Sequence, residues 1–287
     1  MDGVWVIDKP SGPTSFDVVK RVRHALKEKK AGHTGTLDPM ATGVLPVCVG
    51  EATKLAGFMT AGDKAYDATI RLGAETDTQD AEGKVVATGT VPAVSREMLE
   101  KALAPFRGAL AQKPPMYSAV KVGGKRLYEL ARAGEEVERV ERSVTVYALE
   151  LRDFSATELT VSIRCSKGFF VRTLAHDLGQ AMGCGAHLSA LRRTACGPFT
   201  LDQAVSLEAL EAGSDLSARA VPLEDALSDV PAVRVTEPDA RRVMHGVPIE
   251  VAVQGRVRVL SPTGRLLAVA EAERGRLRYL RVLGASA

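Results

Sequence analysis

The pattern of apolar and polar positions divides the chain into helical and extended stretches. Behind Thr14-Ser15, Val18, Val22, Ala25 and Leu26 recur at helical spacing and predict an amphipathic helix that runs out in the lysines before Gly32. Val44 to Val49 read as a short buried strand. Lys64 to Leu72 read as a second, with Tyr66, Ala68, Ile70 and Leu72 on one face. Ser95 caps a short helix through Met98, Leu99, Ala102 and Leu103, which Pro105 ends. Leu159, Val161, Ile163 and Cys165 alternate as a half-buried strand and Gly168 turns the chain. Helical spacing then resumes from Val171 to Met182, with Gly183 as the stop.

Between these elements lies KPPMYSAVKVGGKRLYELARAG, with two prolines, a Gly123-Gly124 pair, basic residues and a helix closed by Gly134. It reads as an excursion from the core. The helical pattern weakens after Leu210, and residues 213–232, with Gly213, Ser214, Pro222 and Pro231, form the expected join between domains. Beyond Val233 one short helix ends near His245-Gly246. Short Val/Leu/Arg segments separated by Gly255, Gly264 and Gly275 then predict a small β-domain. A chain of 287 residues exceeds the roughly 100–200 of a single domain, so one large domain plus a small one is expected.

At 45% hydrophobic and 25% charged residues the composition is that of a globular protein and excludes a disordered or fibrous one. The opening MDGVWVIDKPSG lacks the basic start and apolar stretch of an export signal. No apolar run approaches the ~20 residues that cross a bilayer. A cytoplasmic protein off the membrane is expected. Cys48, Cys165, Cys184 and Cys196 form no CxxC pair. Cys184-x-x-His187 has no second ligand pair and reads as a buried thiol beside a surface imidazole, so no metal is assigned. The net charge of +3 permits an acidic partner without requiring one. Locally, residues 14–30 hold six Lys/Arg against two acids, and Lys20, Arg23, Lys27 and Lys30 form a stripe opposite the apolar face of the first helix. Such a stripe is either a solvated face or a phosphate-binding one.

Two residues stand out chemically. In GHTGTLDPMATG, Pro39 biases Asp38 toward extended geometry while Gly35 and Gly43 let the backbone bend. The Asp38 carboxylate is then held at a loop tip, or the segment is a plain Gly/Asp/Pro turn. Arg172 falls in the first turn of a helix, where a cation opposes a macrodipole worth ~0.3–1 kcal/mol. It either reaches solvent or pairs with a buried carboxylate, the natural mate of a planar guanidinium. Tyr66 reads as a core tyrosine or a stacking platform. Asp77, Asp80 and Glu82 miss the spacing of a calcium loop and read as a solvated hairpin turn.

Taken together, GVWVIDKPSGPTSFDVV, AGHTGTLDPMATGVLPVCVGEATK, ETDTQDAEG, PPMYSAVKVGGKRLYELAR and CSKGFFVRTLAHDLG resemble, in order, the motifs of the bacterial tRNA pseudouridine-55 synthases, the TruB family. The resemblance implies an α+β pseudouridine synthase fold with a mixed, largely antiparallel central sheet over residues 1–225. It also implies a small, β-rich, PUA-like RNA-binding domain over 233–287. Asp38 would be the catalytic aspartate, Tyr66 the tyrosine stacked on the target base and Arg172 the partner of that aspartate. His33 would meet the flipped-out RNA region, Leu191 and Phe170 would lie against the base, and Lys121, Lys125 and Arg126 would contact RNA. The implied substrate is the T stem-loop of tRNA; a monomer is expected, though no residue or motif points to it. Isomerising uridine involves no net redox change and no hydrolysis, so no cofactor or metal is required. One position departs from the family: where its members usually read SKGTYIR, this chain has SKGFFVR, so Phe170 stands in place of a tyrosine. Three rivals share these residues: a protein that flips a base without altering it, a glycosylase that releases the base, and an enzyme of the same reaction that acts on another RNA.

Overall fold

The computed structural model describes residues 2–213 and 219–284. The fold is α+β with a large mixed sheet, as expected. It divides into two compact units. One comprises the described residues of Met1–Leu37, Val44–Gly62 and Cys196–Ala287; the other comprises Asp38–Gly43 and Asp63–Ala195.

In the second unit the strands Ala186–Cys196, Lys64–Leu72, Glu158–Cys165, Arg142–Phe154 and Gly108–Gln112 lie side by side in that order. Lys64–Leu72 pairs antiparallel with Glu158–Cys165 over its whole length, Tyr66 opposite Ile163 and Ala68 opposite Val161. Tyr66, Ala68, Ile70 and Leu72 are buried together, so the two-residue period of the sequence does mark the inner face. The helix Val171–Ala181 packs against Lys64–Leu72. A β-carbon at Gly179 would collide with the backbone of Gly185 and Ala186, so glycine there permits the close approach of helix and returning chain. Gly43 has φ +98, and a side chain on it would strike the Arg193 carbonyl oxygen. This explains the glycine that closes the GHTGTLDPMATG loop: Thr42 and Gly43 pair in parallel with Arg192 and Arg193.

In the first unit Thr14 caps the helix Ser15–Leu26, its hydroxyl and Asp17 forming a reciprocal capping box. The helix ends at Leu26, with Lys27 left-handed (φ 51), short of the lysines before Gly32. Its buried face is Ser15, Val18, Val19 and Val22. The strand Gly3–Lys9, absent from the sequence reading, is buried at nearly every position and pairs in parallel with Val205–Ser206. The expected C-terminal β-domain is a four-stranded sheet of Ala232–Arg234, Gly255–Leu260, Leu266–Glu273 and Arg276–Val282, with the helix Glu237–Met244 on one face. From its other face Leu260, Leu266, Val269 and Leu283 enter one core with Val4, Val6, Val44, Leu55, Met59, Phe199 and Leu227. Of the join expected at 213–232, residues 214–218, including Ser214, lie outside the described residues.

All four cysteines are free and buried. Burial pushes the thiols of Cys48 and Cys165 up to about 12, so both are neutral at physiological pH. His187 corrects the surface reading: its imidazole is buried, with Nδ1 2.8 Å from the Ala74 carbonyl oxygen. Among the described residues no helix is long and apolar enough to cross a membrane.

Candidate active site

Arg172 lies in the first turn of its helix, with only 6% of its side chain exposed. Its Nε stands 3.0 Å from Oδ2 of Asp38, and its Nη2 donates to Oδ1 at 3.3 Å. The guanidinium therefore grips the carboxylate side-on with two nitrogens, the geometry that fixes a carboxylate in orientation as well as charge. It also donates to the Thr78 carbonyl (Nη1, 3.0 Å) and the Tyr117 carbonyl (Nη2, 2.9 Å). The oddity of a cation at a helix N-terminus is thereby resolved: three segments distant in sequence converge on one side chain.

A second carboxylate completes the cluster. Oδ2 of Asp80 lies 3.3 Å from Arg172 Nη1 with 4% of its side chain exposed, and its Oδ1 accepts from the Thr78 hydroxyl (2.6 Å) and the Glu82 N–H (3.1 Å). This corrects the reading of the whole TDTQDAEG segment as a solvated turn. Asp77 and Glu82 are exposed, whereas Asp80 is a buried anion. The loop is held by Thr76, whose hydroxyl donates to the Asp80 carbonyl, and by Gln79 in a left-handed conformation (φ 65). Of the two carboxylates Asp38 is the open one, with 34% of its side chain exposed. One cation thus stands between a buried anion and an accessible one, and the accessible anion is the group able to meet a substrate.

Other predicted residues are distributed around this unit. Tyr66 is buried on the inner face of its strand. Phe170 is the residue from which the Arg172 helix starts. Leu191 is buried on Ala186–Cys196, and its carbonyl accepts from the hydroxyl of Thr42, four residues beyond Asp38. Lys121, Lys125 and Arg126 are exposed on a small hairpin in which Lys121 pairs with Arg126, and Arg126 donates to the Tyr128 hydroxyl at 2.9 Å. His33 belongs to the other unit, where it pairs with Val47. The basic stripe of the first helix is partly engaged within the chain: Lys20 pairs with Asp17 at 3.0 Å, and Arg23 donates to the Ala31 carbonyl. Lys27 and Lys30 are exposed.

Residues 23–171 match the sequence model described as TruB family pseudouridylate synthase (N terminal domain). The chain belongs to the TruB family. Residues 172–230 match the tRNA pseudouridylate synthase B C-terminal domain, and residues 230–284 match the tRNA pseudouridine synthase II C-terminal domain. The chain is 48% identical over 286 residues to tRNA pseudouridine synthase B of Burkholderia mallei, covering 96% of this chain and 94% of that protein. It is 47% identical over 280 residues to the protein of the same name from Pseudomonas aeruginosa, covering 94% and 92%. Among solved structures, a chain of a Cbf5-Nop10-Gar1 complex superposes with a TM-score of 0.78 at 26% identity, covering 98% of this chain and 84% of that one. Within this TruB chain Asp80 was missed because its neighbours Thr76, Thr78 and Gln79 are polar, and turns of that composition are usually solvated. The available signal was the unusual position of Arg172, which called for a carboxylate and obtained two.

Proposed function

We propose that this isomerase converts the uridine at position 55, in the T-arm of tRNA, to pseudouridine. It would act as a monomer in the cytoplasm, with Asp38 as the catalytic carboxylate. The observation that carries the reading is the two-nitrogen pairing of Arg172 with an accessible Asp38 inside the GHTGTLDP motif. The reaction breaks N1–C1′, turns the base, joins C5 to C1′, releases the proton from C5 and returns one to N1. Those atoms are out of reach in a stacked base, so the nucleotide must be extruded into a pocket. In this reading Tyr66 and Phe170 give aromatic surface to the flipped base, Leu191 an apolar wall, and His33 a contact to the displaced RNA.

A carboxylate can add to C1′ or to C6 of the ring, or stabilise a glycal-forming transition state. Each route needs an ionised, correctly aimed Asp38, and Arg172 supplies both the opposite charge and the aim. The Tyr66 hydroxyl, directly or through water, is our acceptor for the C5 proton. Lys121, Lys125 and Arg126, with the exposed Lys27 and Lys30 just beyond the first helix, are assigned to phosphates. Residues 1–225 would hold the chemistry and 233–287 a PUA-like RNA-binding module.

Incubating wild-type protein with unmodified tRNA transcript, then mapping pseudouridine by chemical probing, tests the assignment of substrate. A single product in the T-loop is expected, without free uracil. Modification elsewhere, or released uracil, would contradict it.

A further inference from the structure

Gln112 ends the strand Gly108–Gln112, where it pairs with Arg142, and its side chain is buried. The carboxamide reaches the backbone of Phe170. Its Nε2 donates to the Phe170 carbonyl at 2.9 Å, and its Oε1 accepts from the Phe170 N–H at 2.7 Å. One planar amide thus occupies both backbone groups of a single residue, as a neighbouring strand does in an antiparallel ladder.

Phe170 is the N-cap of the helix that carries Arg172; its backbone is extended (φ −108, ψ 108) and its side chain supplies no cap. Its carbonyl also accepts the first helical hydrogen bond, from the Leu174 N–H at 3.2 Å. Fixing the peptide groups on both sides of Phe170 therefore fixes where the first turn begins and in which direction it winds. Arg172 follows two residues later. A side chain swings by about 100° for each residue of helical register, so a loosened first turn would destroy the two-nitrogen approach to Asp38. Lys113, Pro114 and Pro115 come directly after Gln112, leading into the excursion whose Tyr117 carbonyl accepts from Arg172. Gln112 holds the point where the strand gives way to that excursion and, with the same amide, the start of the helix.

We propose that Gln112 is a positioning residue for the isomerisation, aiming Arg172 at Asp38 through the backbone of Phe170; this rests on the roles given above to Asp38 and Arg172. Gln112→Met keeps the length of the side chain and removes both hydrogen bonds. Its single-turnover rate of tritium release from tRNA carrying 5-tritiated uridine is expected to fall roughly 10–100-fold, the scale of a misplacement of about 1 Å. Its Kd for the same transcript should stay within about threefold of wild type, since the loss lies in the transition state alone. In an Arg172→Lys background the same substitution should cost less than about threefold, because a residue acting only through Arg172 has little left to disturb. A wild-type rate in Gln112→Met would overturn the proposal, as would an equal loss in both backgrounds or parallel losses of rate, affinity and thermal stability. If Gln112→Met melts early, Gln112→Glu, which still accepts from the Phe170 N–H, carries the same comparison. Asp38→Asn measured alongside separates the two levels. Activity retained there refutes the reading of the site, whereas an inactive Asp38→Asn beside a fully active Gln112→Met refutes the positioning role alone.

Discussion

Replacing Arg172 with methionine is expected to lower the single-turnover rate of pseudouridine formation by roughly 10²–10³-fold, the usual cost of deleting a preorganised electrostatic group at a reacting centre. The same substitution should destabilise the fold. Asp80 is almost fully buried, and without the guanidinium it retains only the Thr78 hydroxyl and the Glu82 N–H. Leaving one member of a buried ion pair uncompensated costs about 3–5 kcal/mol. In a unit of this size that lowers the melting temperature by about 10 °C. Two carbonyl acceptors, of Thr78 and Tyr117, lose their partner as well. Arg172→Lys keeps the charge and forfeits the side-on grip, so it should recover most of the stability and little of the rate. Equal recovery of both would mean that charge alone matters and that the two-nitrogen geometry does not. Calorimetry and tritium release on the two variants give the comparison.

Removing residues 231–287 is expected to abolish soluble, folded protein rather than to leave an active catalytic part with weakened RNA affinity. Leu260, Leu266, Val269 and Leu283 belong to the same apolar core as Val4, Val6, Val44 and Leu55. At about 1.5–3 kcal/mol for each buried side chain, these four alone represent about 6–12 kcal/mol as an upper bound. That is comparable with the whole net stability of a typical domain, about 5–15 kcal/mol. Expression of the truncated chain, followed by circular dichroism and melting, is the check. A cooperative transition near that of the full chain would show that the C-terminal sheet is a separable module.

Much of the fold was legible because its inner faces repeat with the right period. Val18 and Val22 mark the first helix, and Tyr66, Ala68, Ile70 and Leu72 mark the strand beside the Arg172 helix. The strand Gly3–Lys9 escaped because burial on both sides removes the alternation by which a strand is recognised. Ala186–Cys196 escaped for the opposite reason: Arg192 and Arg193 look solvent-facing in the sequence, yet Arg193 is buried. At the site, only Arg172 broke a local expectation; Asp38 read equally well as a plain turn, and its pairing with Arg172 was implied by the family resemblance. Asp80 broke none. A carboxylate in a polar turn is ordinary until the chain folds a buried cation against it, and only tertiary structure supplies that cation. The grip of Gln112 on Phe170 was hidden in the same way, since no local pattern records a side chain that binds distant backbone.

The most direct test of the central claim compares wild type with Asp38→Asn. Asparagine preserves the shape of the side chain and removes the charge that Arg172 holds. Tritium release from tRNA carrying 5-tritiated uridine should be complete for wild type and undetectable for Asp38→Asn, with both proteins binding the transcript equally. Release by Asp38→Asn at a rate near wild type would mean that another group performs the chemistry.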